Sequence, residues 1–143
     1  MQLDTSAILW SAPERERAGR PLLVLLHGYG SHEGDLFGMS PGLPLGPVVA
    51  SLRAPIAESG GWAWWSRADS PQGNPPAERV VSAAAAVLAL LGALEFTTVS
   101  LVGFSQGAAL SLQLLRHAPG RFAATVAIAG FVAEGGHPGD VEL

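Results

Sequence analysis

The residue with the most evident chemical potential is Ser105, which stands between two glycines in the stretch Gly103-Phe104-Ser105-Gln106-Gly107. A serine hydroxyl can attack a carbonyl carbon, and a sharp turn exposes that hydroxyl at its tip. Glycine suits both flanks of such a turn, because a Cβ there would collide with the neighbouring backbone. The five residues therefore predict a turn that presents a nucleophile.

The flanking residues supply the context that this motif needs, because in a chain with 18 glycines the motif is weak by itself. Residues 97–102 are a short β-branched, apolar run and predict a strand. Residues 108–117 predict a helix, with positions 109, 112 and 115 at helical spacing and with Gln113 and Arg116 as polar positions. Strand, turn and helix together form a nucleophile elbow. The alternative is a glycine-rich connection that happens to contain a serine.

A second glycine-rich turn, His27-Gly28-Tyr29-Gly30, follows the continuous apolar run at residues 21–26. A run without alternation predicts a central strand that is covered on both faces. Ligands bind at the carboxyl ends of the strands in open parallel sheets. We therefore expect Tyr29, Ser105 and the tail after residue 129 to emerge at one edge of the sheet.

The remaining segments predict one α/β domain over residues 1–143, a mostly parallel sheet with helices on both faces. Further strands are expected at residues 5–11, 48–52 and 122–129, a short helix at 33–39, a loop at 56–76 and a polar tail at 130–143. A longer helix is expected to be capped by Asn74, to open at the two following prolines and to end near Leu94. Its apolar face would carry Val80, Ala84, Val87 or Leu88, and Leu91.

The composition argues against several classes of protein. The net charge is −4, and the eight basic residues are scattered arginines, which gives no basic stripe for nucleic acid. Without cysteine the chain has no disulfides, thiolate metal sites or cysteine nucleophile. The longest apolar run is too short to cross a bilayer, and the first residues lack the pattern of a signal peptide. These features predict a cytoplasmic protein without stable membrane insertion.

With one glycine turn after each of two strands, the sequence resembles the phospholipase/carboxylesterase family of α/β-hydrolases, which includes acyl-protein thioesterases. The resemblance runs from about residue 21 to residue 131 and includes Arg53-Ala54-Pro55 and a tryptophan-bearing loop. It implies an α/β-hydrolase fold and hydrolysis of a small acyl ester or thioester by a Ser-Asp-His triad, with no cofactor and no metal.

The resemblance implies a role for each matching residue. Ser105 would be the nucleophile that forms an acyl-enzyme, and the backbone N–H groups of Gln106 and Tyr29 would form the oxyanion hole. In the family the acid and the base follow two later strands, so the sequence resembles a C-terminally incomplete hydrolase domain that lacks its last strands. His137 and Asp140 are the candidates for base and acid within this chain.

Several residues allow a second interpretation. Trp62, Trp64 and Trp65 either line an acyl pocket or anchor their own loop to the sheet. His27 is more simply a residue that ties its turn together by hydrogen bonds than a catalytic base. His27, His32, Glu33 and Asp35 fit no usual metal spacing, and Gly28, Gly30 and Gly34 depart from the dinucleotide-binding fingerprint.

Three functions agree with the sequence. The first is a serine hydrolase of carboxylic esters or thioesters, and the second is a non-catalytic acyl-binding or interaction fragment of the same fold. The third is an acyltransferase or perhydrolase, which would use the same elbow. If the last strands are absent, residues 122–129 form an exposed apolar edge, and we expect homodimers or aggregates through it.

Overall fold

The computed structural model describes residues 1–69 and 74–141. The elements are β1 (Leu9–Trp10), β2 (Leu22–Leu26), α1 (Glu33–Phe37), β3 (Val48–Leu52), β4 (Ile56–Glu58), β5 (Gly61–Ala63), α2 (Ala77–Leu94), β6 (Val99–Phe104), α3 (Gln106–His117) and β7 (Phe122–Ile128). Single 3₁₀ turns lie at Thr5–Ala7, Glu14–Glu16, Ser40–Gly42, Arg67–Asp69 and Pro138–Val141.

Five strands form one sheet in the order β1-β3-β2-β6-β7. Strands β3, β2, β6 and β7 are parallel, and only the two-residue β1 runs antiparallel to its neighbour. The mostly parallel α/β sheet expected from the sequence is confirmed. Because Leu26 pairs with Gly103 and Gly103 with Ala127, the turns after β2, β6 and β7 leave the sheet side by side.

The two faces of the sheet are covered unequally. Helices α2 and α3 pack against each other over one face, where most of the buried apolar side chains lie. The opposite face buries only a small cluster, Leu25, Val49 and Val102, under α1 and the segment that follows it. Helices therefore lie on both faces, as predicted, but α1 makes its main contacts with β2, β3 and β1.

Helix α2 presents the predicted apolar face, with Val80, Ala84, Val87 and Leu91 buried. By length and composition alone this helix could cross a membrane, but core helices pass the same test, and its buried face packs in the core.

The predicted cap of α2 is wrong. Asn74 does not cap α2 but donates a hydrogen bond of 2.6 Å from its side-chain amide to Glu134, and α2 begins after Pro76 without a side-chain cap.

Two other boundaries differ from the sequence prediction. The first strand is only Leu9–Trp10, because Asp4 accepts hydrogen bonds from Ser6 and turns the preceding residues into a 3₁₀ turn. The segment 56–76 is not merely a loop, since it contains the antiparallel hairpin of β4 and β5. Residues 70–73 of that segment and residues 142–143 of the tail lie outside the described part of the chain.

Strand β7 is exposed at the edge of the sheet. Its Val126 and Ile128 pair with Val102 and Phe104 of β6, so these four side chains share the face that α1 only partly covers. Phe104, Val126 and Ile128 are 43%, 50% and 45% exposed. Apolar surface of this kind on an edge strand favours association.

The ion pair between Glu33 of α1 and Arg53, which follows β3, supports a pH-dependent prediction. Both guanidinium contacts engage the carboxylate, and the hydrogen bond from Arg53 lowers the pKa of Glu33 to about 2 from its usual 4.5. A lowered folded-state pKa stabilises the fold above the unfolded-state pKa, and that stabilisation is lost as the pH falls from about 4.5 towards 2.

We expect Glu33→Gln to lower the free energy of unfolding at pH 7 by about 1 kcal/mol, since partial solvent screening reduces the full linkage value. The difference from the wild-type protein should shrink below pH 4.5 in urea titrations at a series of pH values. Glu16→Gln is the matched control. The side chains of Glu16 and its partner Arg15 are 55% and 80% exposed, so their ion pair should contribute almost nothing to the free energy of unfolding. An equal loss at all pH values would contradict the prediction.

Candidate active site

Ser105 occupies a sharp turn between β6 and α3. Its backbone has φ +53° and ψ −113°, a conformation that a residue with a side chain rarely adopts. The strain is held by neighbouring structure, because the Ser105 N–H donates to the carbonyl of Ile128 on β7 at 2.9 Å. Its own carbonyl accepts from Ala109 at 3.0 Å. A strained residue between a strand and a helix is the backbone geometry that the predicted nucleophile elbow requires.

The two glycines of the motif have no room for a side chain. A Cβ on Gly103 would lie 2.3 Å from the carbonyl oxygen of Gly107. A Cβ on Gly107 would lie 1.9 Å from the carbonyl oxygen of Leu26, at the end of β2. The elbow is therefore pressed directly against the strand that leads to the second glycine turn.

That second turn lies against the elbow. A Cβ on Gly28 would be 3.4 Å from the Cβ of Ser105 and 3.1 Å from the ring of Phe104. Among the hydrogen bonds between described residues, none is donated by the backbone N–H of Tyr29 or of Gln106. Gln106 is the first residue of α3, where backbone N–H groups have no partner within the helix.

His27 is fully buried, and both of its ring nitrogens are engaged. Its Nε2 accepts from the N–H of Ala54 at 3.1 Å, so the proton lies on Nδ1, which donates to the carbonyl of Gly28 at 2.7 Å. Burial lowers the pKa of this imidazole. The contacts agree with the structural interpretation of His27 and leave no nitrogen free to act as a base.

The side chain of Gln106 connects the elbow to the tryptophan-bearing loop. Its Oε1 accepts from the N–H of Trp64 at 2.9 Å, and its Nε2 donates to the carbonyl of Trp65 at 2.9 Å. The indole N–H of Trp64 donates in turn to the carbonyl of His27 at 2.9 Å. Sequence reasoning considered only the backbone of Gln106 and missed this side-chain connection, for which the only signal was an amide at the position after the serine.

The acyl-pocket interpretation of Trp64 and Trp65 is wrong. These side chains are 0% and 2% exposed and belong to the main core, which leaves them no surface to offer a substrate. Trp62 is partly exposed, with the guanidinium of Arg53 4.8 Å from its ring centroid. Its backbone pairs with Ser31 after the second glycine turn, so the loop is anchored there, and only Trp62 remains available at the surface.

The structure does not bring His137 or Asp140 to Ser105. The ring of His137 packs on that of His117, with centroids 4.4 Å apart, and Asp140 pairs with Arg116 at 2.6 Å. Both partners lie at the C-terminal end of α3, roughly 18 Å from Ser105 at 1.5 Å per residue. The tail therefore runs along α3 away from the elbow, and the expectation that these residues supply base and acid is corrected.

The acidic and histidine side chains near the second turn are engaged in local structure. His32 accepts from the N–H of Gly34 at the start of α1, Glu33 binds Arg53, and Asp35 accepts from the hydroxyl of Ser31. Within residues 1–69 and 74–141, no group of three or more ligating side chains is placed to hold a metal ion. The site geometry thus consists of the strained serine and the two adjoining turns.

Comparison with known proteins identifies a family for this chain. The family model for phospholipase/carboxylesterase matches residues 11–137. A comparison with curated proteins gave no significant match.

Solved structures share the fold at low sequence identity. A carboxylesterase from Mesorhizobium loti has 22% identity and a TM-score of 0.72, with 85% of this chain and 60% of that one aligned. A carboxylesterase from Bacillus cereus has 22% identity and a TM-score of 0.76, over 91% of this chain and 62% of that one. A phospholipase/carboxylesterase from Dyadobacter fermentans has 23% identity and a TM-score of 0.63, over 93% of this chain and 63% of that one.

This chain therefore spans about 60% of the length of these three structures. The family model, by contrast, covers most of the chain, including both glycine turns and the elbow between β6 and α3. On that match, the chain belongs to the phospholipase/carboxylesterase family of α/β-hydrolases.

Proposed function

We propose that Ser105 is the nucleophile of a hydrolase that cleaves carboxylic esters or thioesters of small acyl groups. The observation that carries the proposal is the strained backbone of Ser105, held at φ +53° with the turn after β2 pressed against it. Strain of this kind persists where surrounding structure enforces it and is concentrated at active sites. Family membership supports the same class of reaction.

The proposed reaction has two steps. The Oγ of Ser105 attacks the acyl carbonyl carbon and loses its proton, and collapse of the tetrahedral intermediate releases the alcohol or thiol with a proton. Water then attacks the acyl-enzyme, which releases the acid and restores the hydroxyl. The N–H groups of Tyr29 and Gln106 would stabilise the oxyanion in both steps, because neither is engaged elsewhere among the described residues.

The described residues place no histidine beside Ser105. His27 uses both ring nitrogens, His32 caps α1, and His117 and His137 pack together at the far end of α3. A serine without a neighbouring base keeps only the rate enhancement that the oxyanion hole and substrate binding supply. For this chain by itself we therefore expect slow reaction at Ser105, because efficient turnover needs a base and an acid that the described residues do not place beside it.

A fluorophosphonate probe tests the proposal, because an activated serine hydroxyl attacks its phosphorus and displaces fluoride, while the phosphoryl oxygen takes the place of the oxyanion. We expect slow labelling at Ser105, located by mass spectrometry of the digested protein, and its loss in Ser105→Ala. Ser82→Ala on α2 is the control and should label like the wild-type chain. Labelling that persists in Ser105→Ala, or a wild-type chain that is never labelled, would overturn the proposal for this chain.

A non-catalytic acyl-binding fragment is the second candidate, favoured by the lack of a histidine beside Ser105 among the described residues. It predicts that an ether analogue of an ester, with a methylene group in place of the carbonyl, binds in calorimetry while nitrophenyl esters are left intact. An acyltransferase or perhydrolase would share the acyl-enzyme and differ in the acceptor, so product analysis with added alcohol or hydrogen peroxide distinguishes them from hydrolysis.

A further inference from the structure

The amide side chain of Gln106 is buried against a backbone segment that is distant in sequence. Only 6% of the residue is exposed. The amide oxygen accepts from the N–H of Trp64, and the amide nitrogen donates to the carbonyl of Trp65. The side chain thus satisfies one backbone donor and one backbone acceptor of this segment. It fixes the first residue of α3 relative to the loop after β5.

The connection continues from that loop to the other turn of the site. The indole N–H of Trp64 donates to the carbonyl of His27, and the rings of the two residues lie 5.5 Å apart. The imidazole of His27 bonds both the N–H of Ala54 and the carbonyl of Gly28. A continuous and buried set of hydrogen bonds therefore runs from Gln106 through Trp64 to the residue that precedes Tyr29.

We propose that Gln106 and Trp64 are positioning residues, whose side chains hold the N–H groups of Gln106 and Tyr29 at a fixed separation. The inference rests on the proposed function, in which these two N–H groups receive the oxyanion. The donors follow two different strands, and a displacement of about 1 Å in such a site can reduce the rate about 100-fold. The hydrogen-bond set supplies the side-chain link between the two turns.

A purely space-filling role does not require this arrangement. A leucine at position 106 would fill similar volume without a buried amide, whereas a buried amide is tolerated only when its donors and acceptors are matched. Helix α3 contains a second buried glutamine, Gln113, which bonds Arg116 and His117 near the C-terminal end. Gln113 offers a matched control for the loss of a buried glutamine on the same helix.

The test compares Gln106→Leu and Trp64→Phe with Gln113→Leu in the 143-residue chain. The first readout is the rate of phosphonylation of Ser105 by the fluorophosphonate probe. We expect this rate to fall about 100-fold in Gln106→Leu and about 10-fold in Trp64→Phe, with little change in Gln113→Leu. Gln106→Glu keeps the acceptor for Trp64, but its ionised carboxylate would face the carbonyl of Trp65 without a donor, so it should not restore the rate.

The second readout does not depend on reactivity. In ¹⁵N-resolved NMR spectra, Gln106→Leu should shift the Tyr29 amide and the ring nitrogens of His27, while Gln113→Leu should leave them unchanged. A wild-type chain that never reacts would refute the proposed function, and the NMR comparison would still decide the positioning role. Unchanged Tyr29 and His27 resonances in Gln106→Leu, or equal shifts in Gln113→Leu, would overturn the positioning proposal.

Discussion

Gly107→Ala is expected to lower the free energy of unfolding by at least about 2 kcal/mol, because the added methyl group cannot be accommodated without moving backbone. The new Cβ would lie 1.9 Å from the carbonyl oxygen of Leu26 and 2.7 Å from that of His27. Both atoms belong to the end of β2 and to the turn that carries Tyr29. The substitution must therefore separate the elbow from the second turn, which damages stability and the proposed oxyanion site together.

Gly92→Ala is the matched control, since a Cβ on that glycine of α2 meets no atom within 4 Å. This exchange should raise the free energy of unfolding by about 0.5–1 kcal/mol, because alanine loses less backbone entropy than glycine in a helix. Urea denaturation followed by circular dichroism measures both changes. A Gly107→Ala protein as stable as the Gly92→Ala protein would show that the elbow is not packed against β2 as described.

Much of the site could be predicted because its determinants are local. The apolar runs of β2 and β3 and the glycines around Ser105 each specify their own conformation, and parallel pairing then brings the turns after β2 and β6 to one edge. Strand β3 has the predicted bounds, and β2 starts one residue later than expected. The elbow strand begins two residues late but ends in the turn as the motif requires.

Several errors concern residues whose partners are distant in sequence, whereas the shortened first strand results from the local hydrogen bonds between Asp4 and Ser6. The helical pattern predicts polar positions for Gln113 and Arg116 of α3, yet both are buried, and Gln113 accepts a hydrogen bond from Arg116 there. Arg116 is satisfied there by Asp140 and by the carbonyl of Ala133, contacts that no helical periodicity reveals. The hydrogen bond from Arg116 lowers the pKa of Asp140 to about 2, as expected for a carboxylate that serves as a structural partner.

The tryptophans illustrate the same difficulty. Composition alone could not separate an acyl pocket from a self-anchored loop, because both place aromatic side chains near the site. The two interpretations differ in where the Gln106 side chain binds. Its amide accepts from the N–H of Trp64 and donates to the carbonyl of Trp65, and these bonds hold the loop so that Trp64 lies in the core. The sequence indicates that the tryptophan-bearing loop approaches the site, but it does not indicate which of the tryptophan side chains face the core.

Strand β7 leads to the second prediction with a large effect, namely that this chain associates through its exposed edge. The strand carries no charged residue or proline over Phe122–Ile128, two features that usually protect an edge, and its pairing irregularity lies at the start, opposite Val99 and Ser100. The N–H of Ser105 bonds the carbonyl of Ile128, so Ile128 faces β6, and by alternation the N–H groups of Thr125 and Ala127 face outward. A second copy could pair with these groups in an antiparallel manner.

Two variants separate edge pairing from association through the open apolar face. Ala127→Pro removes an outward N–H and leaves the bonds to β6 in place, so it should block edge pairing and weaken self-association at least about tenfold, or about 1.4 kcal/mol. Val126→Lys instead places a charge on the face shared with Phe104 and Ile128. Leu45→Lys, which changes an exposed loop leucine, is the control and should associate like the wild-type chain.

Sedimentation velocity at several protein concentrations gives the outcome. We expect the wild-type chain to sediment faster than its mass of 14.7 kDa allows for a monomer, and Ala127→Pro to sediment as a monomer at the same concentration. If Val126→Lys alone dissociates the assembly, the open face rather than the edge is the contact. A wild-type chain that stays monomeric at every concentration would refute association by either route, because neither exposed surface would then suffice to hold two copies together.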